Sequence, residues 1–275
     1  MPFGMLFLLS VLAGLVGALG GMGGGVVLIP VLTFVGINIK QAIAVSGLSA
    51  IAISNSATPL YVRRHLPNLK AGAFLELFAV MGALTGAVIT VLSHQRFLYL
   101  FCGVTLVVSW VALWKTWKKE NKPALESQSP AHPSMLTGSY YDHAEHQTIS
   151  YKGKRPYLGG VCMFGVGLVS GLLGVGTGAF TVLINDLLMG FPTKVSLTMS
   201  NLMMGAIYLA GVGVYLEAGL IHSKLVAPII LGVPFGALLG AKLLPQLRNQ
   251  MIRIVFLCIL SVLGLEMMVQ GIWGF

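Results

Sequence analysis

Twice in this chain an apolar stretch of membrane-crossing length runs into a cluster of glycines. The first is "GLVGALGGMGGGVVLIPVL" from residue 14, the second "GLVSGLLGVGTGAFTVLIN" from residue 167. Gly14, Val16, Leu19, Gly21, Gly23 and Gly25 fall on Gly167, Val169, Leu172, Gly174, Gly176 and Gly178, an offset of 153. One residue later in the second copy the offset becomes 154, pairing Gly36 with Gly190, Lys40 with Lys194, Ser46 with Ser200 and Tyr61 with Tyr215. "GALTGA" at 82 to 87 then falls on "GALLGA" at 236 to 241. A duplicated membrane unit is the sequence mark of many secondary transporters.

Composition places the duplication in a bilayer. Of 275 residues 56% are hydrophobic and 9% charged, against about 25% charged in soluble domains. The apolar content forms eight runs of helix length, near the roughly 20 residues that cross the hydrocarbon core, plus two short ones. The net charge of +9 is concentrated in loops, which points to membrane topology and lipid headgroups rather than nucleic acid. Cys102, Cys162 and Cys258 lie inside apolar runs without motif spacing, so neither a disulfide framework nor a metal cluster is expected. The first 20 residues have no Lys or Arg ahead of their apolar core, and the same pattern recurs internally, so they read as a membrane segment rather than a signal peptide.

The expected organisation is a first membrane repeat over 1–118, a polar cytoplasmic linker over 119–155 and a second repeat over 156–275. Each repeat holds five apolar segments: about 2–20, 24–36, 41–62, 71–93 and 96–118, then about 156–174, 178–190, 195–217, 224–246 and 251–273. The first two segments together would make a helix of roughly 50 Å, too long for one ordinary crossing. If the chain turns back at the glycines, each repeat makes an odd number of crossings and the repeats are inverted. With the linker in the cytoplasm, every Lys and Arg except Lys40, Arg96 and Lys224 then falls inside. A continuous helix gives parallel repeats and doubles the number outside, so the positive-inside rule favours inversion. The fold expected is therefore an all-α polytopic membrane protein. Its two inverted repeats each begin with a re-entrant or broken-helix hairpin, and both termini face outward. Trp114, Trp117 and Trp273, near segment ends, suit interface anchors.

A turn inside the membrane leaves backbone groups unpaired, which is tolerated only where protein or a water-filled cavity satisfies them. The helix that resumes after each break offers free N–H groups and the positive end of its dipole, a combination suited to a small anion. Gly23, Gly24 and Gly25, with Gly176, Thr177 and Gly178, are the candidate backbone donors. Gly14, Gly17 and Gly21, their counterparts, and the "GALTGA" and "GALLGA" stretches instead have the spacing that lets helices pack closely. On the following helix Ser46, and in the second copy Ser200 and Asn201, add hydroxyl and amide groups, with Ser49 on the same stripe as Ser46. These polar groups also suit plain interhelical bonding. Asp186, Asn185 and Glu76 are the candidates for coupling or gating, because ionisable groups at membrane depth are functional by default and Asn185 adds an amide beside Asp186 where the first copy has only apolar residues and Thr33. For Asp186 an interfacial role stands beside proton coupling, and for Glu76 a snorkelling or lysine-paired role is favoured. The histidines of the linker, His132, His143 and His146, read as a solvated loop. No P-loop or GxGxxG follows a strand, and no cofactor is expected.

With these residues in view, "GLVGALGGMGGGVVLIPVLTFVGINIKQAIAVSG" and its echo "GLVSGLLGVGTGAFTVLINDLLMGFPTKVSLTMSN" resemble the paired signatures of the sulfite exporter TauE/SafE family, also called the toluene-sulfonate uptake permeases. The resemblance covers nearly all the chain except the linker. It implies a multi-pass transporter of the bacterial inner membrane moving a small sulfur-containing anion, sulfite or an organosulfonate, by alternating access. A passive small-anion channel is the alternative. The departures are Thr177 within the second glycine run, Leu183 where the first copy has Pro30, and Asn185-Asp186. An intramembrane enzyme is not expected, for no Ser-Lys, Ser-His or His-Glu set occurs at membrane depth. The expected partners are the anion and lipid, with homo-oligomerisation left open.

Overall fold

The computed structural model describes residues 3–21, 23–119, 136–142, 147–174, 178–221 and 223–244, together with 257, 261, 264–266 and 269. The first repeat supplies α1 (Phe3–Gly20), α2 (Gly25–Phe34), α3 (Ile39–Arg63), α4 (Leu69–Leu92) and α5 (Gln95–Lys119). The second supplies α6 (Pro156–Leu173), α7 (Gly178–Leu183) running into a π-helical turn (Ile184–Leu188), α8 (Thr193–Glu217) and α9 (Ser223–Leu243). Six of these helices are long and apolar enough to cross a membrane: α1, α3, α4, α6, α8 and α9. The chain is a helical polytopic membrane protein. The last segment expected, 251–273, lies mostly outside the described residues, but Gly264 packs against Leu106 and Val107 of α5.

Local sequence explains where the helices start. Asn38 and Asn68 are N-caps whose side chains accept from the N–H groups of Lys40 (3.0 Å) and Ala71 (3.1 Å), taking up donors that the first turns of α3 and α4 leave orphaned. α2 has no side-chain cap. At ten residues it is about 15 Å long and cannot cross a bilayer by itself. It starts beside the middle of α3, Gly24 against Ser49 and Gly25 against Ser46, and after a short turn the chain enters α3 at Ile39. α2 thus runs back along the helix that follows it.

Small residues set the packing. An added Cβ at Gly82 or Gly86 of α4 would lie 2.1 Å from the carbonyl oxygen of Phe164 or Leu168 of α6, and Gly167 and Gly171 of α6 meet Ala79 and Ala83 of α4 just as closely. Such backbone-to-backbone approach is how membrane helices gain dispersion contact without a hydrophobic driving force. α1 and α9 repeat the arrangement, with Gly14 against Val233, and Gly232 and Gly236 against Phe7 and Val11. In both pairs the contacts advance together along the two helices, so each pair is parallel. α3 and α8 are the opposite case: Gly47 lies against Tyr208 and Val212, while Ser54 reaches back to the carbonyl of Leu202 at 3.3 Å. These two central helices, which occupy equivalent places in the repeats, are antiparallel.

The region between the repeats differs from the sequence reading, which assigned it no regular structure. β1 (Thr137–Asp142) and β2 (Gln147–Lys152) pair as an antiparallel hairpin, Thr137 opposite Lys152 and Asp142 opposite Gln147. Its buried side chains include Tyr140 and Tyr151, the latter edge-on to Phe191 at 5.6 Å. Lys154 N–H donates to Met189 O at 2.9 Å, and Asn68 Nδ2 to Thr137 O at 3.4 Å. The hairpin therefore rests on two turns at once, the one joining α3 to α4 and the one entering α8.

Candidate functional site: the paired helix breaks

α1 stops at Gly20 and α6 at Leu173, and at each stop the backbone turns through the left-handed region: φ is +61° at Gly21, +74° at Gly23 and +58° at Gly174. A side chain there would carry steric strain, which is why glycine is needed. Ending a helix in the membrane interior exposes its last carbonyl oxygens where no bulk water reaches them. Side chains from other helices take them up. Ala18 O accepts from Tyr61 Oη and from Asn201 Nδ2, each at 2.9 Å, and Gly21 O accepts from Ser200 Oγ at 2.6 Å. At the second break Gly171 O accepts from the Tyr215 phenol and from Thr90 Oγ1 at 3.3 Å. Thr90 Oγ1 also lies 2.6 Å from Leu172 O, and Gly174 O accepts from Ser46 Oγ at 2.7 Å.

The donors follow the duplication. Tyr61 and Tyr215 are equivalent and each closes the helix end of its own repeat. Ser46 and Ser200 are equivalent and each crosses to the other repeat. The two breaks also touch, for an added Cβ at Gly25 would lie 2.5 Å from Gly174 O and 3.2 Å from the Ser46 side chain. Across the first break α2 begins with Gly24 as its cap residue, whose carbonyl accepts from the N–H groups of Val27 (3.1 Å) and Leu28 (2.9 Å). The N–H groups ahead of these, at Gly24, Gly25 and Val26, have no intrahelical acceptor. With Ala18 O and Gly21 O answered by donors, the N–H groups and helix N-terminus of α2 weigh more in the polarity of the junction.

The candidate side chains differ in their commitments. Ser46 and Ser200 are buried and already donate their protons to carbonyls, and Ser49 donates to Ser46 O at 2.6 Å. Asn201, fully buried, gives both amide hydrogens away, to Ala18 O and to Leu197 O (3.2 Å), while its Oδ1 has no partner among the described residues. Such an orphaned acceptor costs about 1–3 kcal/mol. Among the described residues, Asn185, fully buried in the π-helical turn, has neither side-chain polar atom paired, and the buried Ser196 hydroxyl is also unpaired. Asp186 Oδ2 accepts from Thr193 Oγ1 at 3.1 Å, at the start of α8. Glu76 is half-buried on α4 with no hydrogen bond or ion pair to the described residues. Gly178 begins α7, whereas Gly176 and Thr177 lie outside the described residues, as do the three linker histidines, Cys258 and Trp273. Among the described residues no group of three or more His, Cys, Asp or Glu could hold a metal.

A family model described as "Sulfite exporter TauE/SafE" matches residues 6–267. The chain belongs to the sulfite exporter TauE/SafE family. It is 26% identical over 282 residues, covering all of both chains, to a Bacillus subtilis (strain 168) protein described as "Probable membrane transporter protein YunE". No solved structure matches it. In this TauE/SafE protein the groups that close the broken helix ends include Tyr61, Tyr215 and Thr90, which the glycine and serine patterns of the sequence do not single out. The signal was present for the tyrosines, which recur at the repeat offset inside apolar helices, where a phenol needs a hydrogen-bond partner.

Proposed function

We propose that this TauE/SafE protein is a secondary transporter of the bacterial inner membrane that moves a small anion, sulfite or an organosulfonate, by alternating access. The observation that carries the reading is the one-sided satisfaction of the breaks. The carbonyls of Ala18, Gly21, Gly171, Leu172 and Gly174 take donors from Tyr61, Asn201, Ser200, Tyr215, Thr90 and Ser46, which shifts the polarity of the breaks toward the N–H groups at the start of α2. Backbone N–H groups at Gly23, Gly24 and Gly25, with their counterparts at Gly176, Thr177 and Gly178, form the anion cradle. Ser46, Ser200 and Asn201 frame it. Asp186, Asn185 and Glu76 serve coupling or gating.

The repeats are inverted, with both termini outside and the linker in the cytoplasm. Support comes from the antiparallel crossing of α3 and α8: equivalent helices that oppose each other are related by an axis in the membrane plane. The hairpin between the repeats, the turn after α3 and the turn before α8 also contact one another, as one shared face requires. Contact between Gly25 and Gly174 favours a carrier that opens to one side at a time over a standing pore.

Flux into proteoliposomes of labelled sulfite, taurine, sulfoacetate and chloride tests this. Saturable uptake that is accelerated by the same anion trapped on the far side is expected. Absence of saturable flux with every one of these anions sinks the proposal, and large single-channel currents replace the carrier with a channel.

A further inference from the structure

Asn201 is the place where the two repeats differ most directly at the breaks, for its equivalent is Gly47. The packing of a long central helix thus does not require a side chain at this position. Its amide is held in one orientation. Both Nδ2 hydrogens point at carbonyl oxygens, Ala18 O at 2.9 Å and Leu197 O at 3.2 Å. Turning the amide over would set Oδ1 against those two oxygens, so the acceptor is forced to the other side. There it has no partner among the described residues, and the residue is fully buried. The unanswered oxygen belongs to a side chain held on the last turn of α1, and the preceding residue, Ser200, holds Gly21 O at the break.

A bare carbonyl oxygen on a side chain held at the last turn of α1, before the first break, repels an anion that presents only lone pairs. It attracts one that brings a hydrogen of its own, since buried acceptors are ordinarily answered by a donor. We propose that Asn201 reads a hydrogen-bond donor on the transported anion, so that the site prefers small anions carrying an O–H or N–H group over anions with acceptors alone. This rests on the anion-transport reading above. Asn201 is then the residue that decides specificity, with the α2 N–H groups holding the charge and Asn201 Oδ1 taking the one hydrogen.

The test compares 2-hydroxyethanesulfonate with propane-1-sulfonate, anions of equal charge and heavy-atom count that differ by an O–H in place of a methyl group. Affinities of the full chain in detergent are measured by calorimetry. The hydroxylated anion is expected to bind about tenfold more tightly, the worth of one hydrogen bond. In Asn201→Gly, which copies the first repeat, the ratio of the two affinities is expected to fall to about one, whatever loss the two anions share. Equal binding of the two anions to the wild-type chain overturns the inference without any variant, and so does a preference that survives in Asn201→Gly. If neither anion binds and sulfite and chloride show no flux, the transport reading falls and takes this inference with it.

Discussion

Ser46 donates its hydroxyl proton to the carbonyl oxygen of Gly174, 2.7 Å away, so that a helix of the first repeat closes the break in the second. Ser200 does the same for Gly21 at 2.6 Å in the reverse direction. Each bond spans two parts of the chain that any rocking of the repeats must separate or carry together. Replacing either serine by alanine leaves a buried carbonyl without its donor, at a cost of about 1–3 kcal/mol. Thermal unfolding in detergent should show a lowered midpoint for Ser46→Ala and for Ser200→Ala alike; an unchanged midpoint in either would remove that bond from the account.

Gly25 and Gly165 make a contrasting pair. A methyl group at Gly25 would sit 2.5 Å from Gly174 O, a backbone atom with nowhere to move, whereas nothing lies within 4 Å of one at Gly165. Gly25→Ala should therefore destabilise the protein by about 1–3 kcal/mol and abolish transport. Gly165→Ala, in open space on a helix, should be neutral or stabilising. Equal behaviour of the two variants in unfolding and flux would refute the contact between the breaks.

Ala18 O has two donors, Tyr61 and Asn201, so either can stand in for the other. Tyr61→Phe and Asn201→Gly should each be tolerated better than their combination, which strips the carbonyl bare. A double-mutant cycle on unfolding free energy is expected to give a coupling of about 1–2 kcal/mol. Simple additivity would mean that the two donors serve separate ends.

The hairpin carries a pH signature. Burial holds the Tyr151 phenol above its ordinary pKa of 10, and its bond with Asn68 pulls it part of the way back. A raised pKa in the folded state means that the docked form prefers the neutral phenol. Its contribution is whole below about pH 10 and is lost as the pH rises through the raised value. Protection of the hairpin from protease should accordingly be flat from about pH 7 to pH 9 and fall beyond about pH 10. Tyr151→Phe should remove that fall, and a decline that persists in the variant would assign it to another group.

The sequence carried the helices, the breaks and the duplication because each rests on a periodic or repeated signal. Apolar runs set the spans, and two glycine clusters at one offset set the breaks. What it could not carry was partnership. A serine stripe on α3 looks the same whether its hydroxyls meet a ligand or a carbonyl, since both are hydrogen-bond partners of one residue type. Repeat offsets likewise show that Ser46 corresponds to Ser200, but not that each reaches across to the other repeat. The hairpin was hidden for a different reason. Its strands, "TGSYYD" and "QTISYK", are short and polar, so their period of two is weak. Their pairing is supported by docking of Tyr151 on Phe191, a long-range contact.

The crossed serine bonds also impose an order on synthesis. Gly21 leaves the ribosome 179 residues before the serine that closes its carbonyl, and Ser46 precedes Gly174 by 128. The first half must therefore enter the bilayer with the Gly21 carbonyl unsealed, although Tyr61 can already close Ala18 O. It stays a provisional structure, open to water and to membrane quality control, until the second half arrives.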